Sequence, residues 1–149
     1  MLPKKHLLII AGEASGDSRA AELVTAIKTI NPSVTFSGVG GDSMQKAGVE
    51  LFDHITSLAV IGIVEVLKNF GRIKGVFEHI LYEVDKQKPD AAILVDYPGF
   101  NLRLASELKK RSIKVIYYVS PQVWAWREGR IEKIKTIIDR MMVFFPFEK

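Results

Sequence analysis

DAAILVDYPGFN, residues 90–101, decides the fold. Its first half, AAILV, is a short continuous apolar run, which suits a strand buried on both faces; alternating polar residues would mark one wet face. Its second half is a turn-forming stretch that opens the next helix, LRLASELKKR. The same grammar recurs in both directions along the chain. HLLIIAG (6–12) is an apolar run ending at glycine. EASGDSRAAELVTAIKTI follows it, with Ala21, Leu23, Val24, Ile27 and Ile30 at helical spacing, Asp17 or Ser18 available as cap, and Asn31-Pro32 as stop. VTFSGV (34–39) is a second strand, GVGGDSMQKAG leads through a glycine turn into a short helix, and GVELF is a brief strand. A helical pattern runs from about 62 to 87, with a break expected near Gly71 or Gly75 and Pro89 closing it. IKVIYYVS (113–120) and RMMVFF (140–145) complete the strands, with WAWREGRIEKIKTIID between them. Strands alternating with helices predict an α/β fold: a doubly wound, Rossmann-like, mostly parallel sheet of about six strands.

Composition agrees with one domain that buries a real core: 149 residues, 48% hydrophobic, 26% charged and 9% aromatic. There is no cysteine, which excludes disulfides and thiol chemistry, and His6, His54 and His79 are too scattered in sequence to suggest a metal site. Neither metal nor cofactor is expected. No apolar stretch reaches the length of a spanning helix. The lysines and apolar run at the start imitate a short signal peptide but lead into a glycine turn, so a first strand and a cytoplasmic protein are expected. Residues 1–100 carry 10 basic against 12 acidic groups, whereas residues 101–149 carry 11 against 5. That basic surplus suits solvated helix faces, phosphate or an anionic membrane surface. Nucleic acid is not expected, because the aromatics lie in apolar runs and do not alternate with the basic residues.

In a doubly wound sheet, ligands bind beyond the carboxyl ends of the strands. That rule selects the loops 12–17, 96–101 and 120–127, with 39–43 as a fourth. The first, GEASGD, is neither G-x-G-x-x-G nor a P-loop; its Glu13 and Asp17 oppose a pyrophosphate and suit sugar hydroxyls. In the second, Asp96 ends a buried strand, where a carboxylate either takes a proton from a hydroxyl or caps its own turn. Asn101 is the natural cap of the following helix. In the third, Ser120 can cap, Pro121 fits the first helical position, and Trp124 and Trp126 do not share a helix face. The stretch SLAVIGIVEVLKNFGRIKGVF (57–77) is more apolar than a surface helix requires and is interrupted by Lys68, Arg72 and Lys74. It reads as core or as an interfacial segment.

AGEASGD (11–17), GVGG (38–41) followed by Met44 and Gly48, LAVIGIVEVL (58–67), KPDAAILVDYPGFN (88–101), YVSPQVWAWR (118–127) and FPFEK (145–149) together resemble the lipid-A-disaccharide synthase family, in the family's order and over nearly the whole chain. One departure is Gly99, where many members carry a second aspartate. The resemblance implies the N-terminal, acceptor-binding half of a two-domain GT-B glycosyltransferase, with the C-terminal UDP-sugar domain absent from this chain. It implies transfer of 2,3-diacylglucosamine from its UDP donor to 2,3-diacylglucosamine 1-phosphate (lipid X), with inversion and without a required metal. By the same resemblance Asp96 is the base or the group orienting the acceptor. Glu13, Ser15, Gly16, Asn101, Ser120 and Trp124 fall to substrate binding. Acylated substrates imply work at the cytoplasmic surface of the inner membrane, with Val66, Lys68, Phe70, Arg72 and Ile73 at the interface. Two other readings stand beside it: a generic nucleotide-binding Rossmann domain, and a non-catalytic module with acceptor affinity.

Overall fold

The computed structural model describes residues 4–57, 70–119 and 136–143. In chain order the elements are β1 (His6–Ala11), α1 (Ala14–Ile30), β2 (Thr35–Gly40), α2 (Asp42–Lys46), β3 (Val49–His54), a 3-10 turn (Ile55–Ser57), α3 (Phe70–Gln87), β4 (Ala91–Val95), α4 (Pro98–Lys110), β5 (Lys114–Val119) and β6 (Arg140–Val143). The six strands form one sheet in the order β3-β2-β1-β4-β5-β6, and every pairing is parallel. The doubly wound α/β expectation holds.

The apolar runs form central strands because both of their faces are covered. Along β1, Leu8 and Ile10 join one core cluster while Ile9 and Ala11 join the other. Along β4, Ala92 and Leu94 face the first cluster and Ile93 and Val95 the second. The first cluster is closed by Val76, Ile80 and Val84 of α3 and by Leu104, Ala105 and Leu108 of α4; the second is closed by Ala20 and Val24 of α1 and Met44 of α2. Those helical positions recur every three or four residues, the spacing that puts one stripe against the sheet. Ile9, Ile10 and Leu94 are fully buried, so truncating any one to alanine is worth about 2–5 kcal/mol.

The helix expected to break near Gly71 or Gly75 is continuous from Phe70. A Cβ at either glycine would meet none of the described residues within 4 Å, so these glycines weaken the helix slightly without interrupting it. α4 begins at Pro98, four residues ahead of the periodic stretch LRLASELKKR, because proline fits the first helical turn.

The site follows from the topology. β1 hands its chain to β2 on one side and β4 hands its chain to β5 on the other, so the loops after β1 and β4 diverge. Ala11 pairs with Val95 at the ends of these strands. Gly12–Glu13 and Asp96–Tyr97 therefore flank the crevice where strand order reverses, the place such sheets bind ligands.

Candidate functional site

The β4 exit holds the one pair of consecutive positive-φ residues among the described residues. Asp96 and Tyr97 both lie at positive φ, 45° and 50°. Each such non-glycine residue holds roughly 1–3 kcal/mol of strain and persists only where its surroundings over-determine it. Here the determinants are explicit. The Asp96 amide donates to Tyr118 O at 2.9 Å. Its carbonyl accepts from the Tyr117 hydroxyl at 2.9 Å and from Asn101 Nδ2 at 2.9 Å. Asn101 Nδ2 also donates to Val95 O at 3.2 Å, and the Asn101 amide to Tyr97 O at 2.9 Å. Tyr97 then lays its ring over Gly12: a Cβ there would sit 2.5 Å from the ring. This is the physical need for glycine at the β1 exit.

The result aims the Asp96 carboxylate out of the strand end. Arg19 of α1 reaches it, Nη1 to Oδ2 at 3.3 Å, with the two side chains 30% and 22% exposed. The pair is thus accessible from the crevice and only partly screened. The Tyr97 hydroxyl is pushed above its ordinary pKa, first by burial and then by the nearby Glu13 carboxylate, so it stays protonated and able to donate. Glu13 is exposed, stands at the N-cap of α1, and makes no side-chain capping bond. Ser15 is exposed in the first turn of the same helix. The structure therefore gathers Glu13, Asp96, Arg19 and Tyr97 at one crevice, with Ser15 at its α1 edge.

Several expectations change. Asp17 does not cap its own helix, which starts three residues earlier at Ala14. Buried at 6% exposure, its carboxylate accepts from the amides of Gly41 (2.8 Å), Ser43 (3.0 Å) and Met44 (3.0 Å). It caps α2 and ties the glycine turn after β2 to α1. Asn101 is not a helix cap either: Tyr97 is the N-cap of α4, and Asn101 is fully buried behind the turn. It supports Asp96 and is not exposed to a ligand. Gly16 is buried against Ala11 and Val95, each 3.5 Å from where its Cβ would be. It serves helix–strand packing. Ser120, Trp124, Val66 and Lys68 lie outside the described residues. Phe70, Arg72 and Ile73 open α3, where Arg72 is exposed and Ile73 packs half-buried on the core.

Arg19 was not singled out in sequence, since a lone arginine on an amphipathic helix carries no signal. The basic surplus also resolves in part. Lys109 pairs with Asp139 (2.6 Å), Lys110 with Glu107 (3.1 Å), and Arg111 with Asp85 (2.7 Å) and Glu107 (3.2 Å). The Lys109 ammonium, and then the Val115 amide, hold the Asp139 carboxyl below its usual range. Among the described residues no cluster of His, Asp and Glu is arranged to hold a metal ion. No described helix is long and apolar enough to cross a membrane.

Beside the crevice a groove of about 500 Å³ opens between α3 and α4. Ile73, Lys74 and Phe77 line it from α3, Tyr97 from the turn, and Gly99, Phe100 and Arg103 from α4. Phe100 stacks edge-on against Phe77, centroids 5.5 Å apart.

A family model described as lipid-A-disaccharide synthetase matches residues 7–149. The chain belongs to this family. A lipid-A-disaccharide synthase from Trichlorobacter lovleyi is 49% identical over 144 residues, covering 97% of this chain and 38% of that protein. The Coxiella burnetii (strain Dugway 5J108-111) enzyme of that name is 46% identical over 148 residues, covering 99% and 39%. Lipid-A-disaccharide synthase 1 of Legionella pneumophila is 49% identical over 145 residues, covering 97% and 38%. The chain thus spans under two-fifths of the length of these relatives. Among solved structures, MurG of Acinetobacter baumannii superposes with a TM-score of 0.61 at 13% identity, over 95% of this chain and 41% of that one. A UGT transferase from Siraitia grosvenorii, solved with UDP, gives 0.54 at 8% identity, over 77% and 28%. At such identities the likeness is one of fold alone.

Proposed function

We propose that this chain is the acceptor-side half of an inverting glycosyltransferase that joins two acylated glucosamines. Its acceptor is 2,3-diacylglucosamine 1-phosphate and its donor the UDP-activated 2,3-diacylglucosamine. The donor is held by a domain corresponding to the remainder of the relatives' length. Inversion requires the acceptor hydroxyl to lie in line behind the donor's anomeric carbon, with a group that takes its proton. The single observation that carries this reading is the Asp96 turn: a strained, over-determined backbone that presents one partly exposed carboxylate at the switch point of the sheet. Asp96 accepts the hydroxyl proton or orients that hydroxyl. Arg19 fixes the carboxylate's direction, while Glu13, Ser15 and the Tyr97 hydroxyl bind sugar hydroxyls. The absence of a phosphate-cradling glycine pattern after β1 favours a sugar over a dinucleotide.

The acylated substrates place the enzyme at the cytoplasmic face of the inner membrane, with the apolar stretch that enters α3 against the lipid. In vesicle sedimentation, serine at Val66, Phe70 and Ile73 together should release the protein; unchanged binding with the fold intact rejects that placement. The isolated chain should bind acceptor without turnover. In a family-length enzyme built on this chain, Asp96→Asn should lower turnover by about 10²–10⁴-fold. Asparagine tolerates the positive φ at this position, so the fold should persist. Near-normal turnover of the variant would remove Asp96 from the chemistry.

A further inference from the structure

The groove between α3 and α4 lies beside the crevice and is not part of it. Its walls are apolar: Ile73 and Phe77 on one side, the Phe100 and Tyr97 rings on the other. At its rim stand Lys74 and Arg103, both exposed. Neither has an ion-pair partner among the described residues, whereas Lys109, Lys110 and Arg111 at the far end of α4 are all paired. Two cations with no ion-pair partner among the described residues, over an apolar trough, are complementary to an amphiphile with an anionic head. Tyr97 joins the groove to the crevice, because its ring both lines the groove and covers Gly12 beside Asp96.

We propose that this groove takes an acyl chain of the phosphorylated acceptor, that Lys74 and Arg103 hold its phosphate, and that Gly99 sets how far the chain enters. This rests on the acylated-acceptor reading above and adds where the chain and the phosphate go. Gly99 carries the last part: it lines the groove, and a Cβ there would meet none of the described residues within 4 Å. A side chain added here would therefore start from open space on the groove wall and take up room that a ligand would use.

The test is calorimetric titration of the chain with octyl, decyl and dodecyl phosphate below their micelle concentrations. Affinity should rise about fourfold per methylene until the groove is full, a factor equivalent to ~0.8 kcal/mol each. Gly99→Trp should abolish that increment with the melting temperature unchanged, and Gly99→Ala should keep it. Lys74→Gln with Arg103→Gln should weaken each alkyl phosphate by about 2- to 5-fold per cation removed and leave the matching alcohol unaffected. Absence of a chain-length increment, or an increment that survives Gly99→Trp, overturns the proposal. If diacylglucosamine 1-phosphate still binds in that case, the proposed function stands and only the groove assignment falls; if it too fails to bind, both fall. Dissociation of a dimer by Gly99→Trp, without alkyl phosphate binding, would make the groove a protein interface and equally overturn it.

Discussion

Asp17→Ala should destabilise the fold far more than the loss of a helix cap. One buried carboxylate receives three backbone amides, from Gly41, Ser43 and Met44 at 2.8–3.0 Å. Hydrogen bonds to a charged group are worth about 1.5–3 kcal/mol each, and an amide left unsatisfied in a buried place forfeits about 1–3. The three share one side chain and the Ser43 amide is only partly buried, so the sum is discounted to about 3–5 kcal/mol. In a domain of this size that is a fall in melting temperature of about 10–15 °C. A capping residue on its own helix would be worth about 0.5–2 kcal/mol. Asp17→Asn should fall between: its one oxygen can serve Gly41 and Met44, while its amide group opposes the Ser43 N–H. Urea unfolding followed by circular dichroism measures both variants. A loss below ~1.5 kcal/mol for alanine, with unchanged urea dependence, would refute the cross-bracing role.

Other outcomes follow from the same geometry. Gly12→Ala should destabilise by about 1–3 kcal/mol as the Tyr97 ring is displaced, whereas Gly16→Ala, with ordinary contacts at 3.5 Å, should be neutral or stabilising by up to ~1 kcal/mol; thermal melts separate them. Asp139 has a folded-state pKa below its ordinary 3.8. Its contribution is therefore complete above that value and is lost as pH falls through the folded-state pKa. Asp139→Asn should flatten the acid limb of a stability–pH curve and leave the region above pH ~5 parallel to wild type; a change confined to alkaline pH would contradict the sign.

The fold was legible because its information is local and repeated. AAILV and LLIIA are apolar at every position, which two-sided burial explains, and they became the central strands β4 and β1. Of the loops named from the strand ends, 12–17 and 96–101 flank the crevice, 39–43 is tied to Asp17, and 120–127 lies outside the described residues. What was not legible depends on contacts between distant segments. Asp17 reads as the cap of the helix that contains it, and only the packing of α1 against the β2 exit shows that it caps α2. Asn101 reads as a helix start, yet it is drawn inward to two carbonyls by a backbone turn at Asp96 and Tyr97 that no propensity favours. Arg19 and the groove beside Gly99 arise from the approach of α1 to the β4 exit and of α3 to α4, and neither leaves a pattern in one dimension.

We propose that the β1 and β4 exits form the acceptor site. It is tested most directly by recording backbone amide shifts of the chain while diacylglucosamine 1-phosphate is added in mixed micelles. Saturable shifts concentrated at residues 12–19 and 96–101 are expected, reduced in Asp96→Asn and absent with empty micelles. Shifts confined to the 41–54 region, or produced by NAD or ATP and not by the acylated sugar, would contradict it.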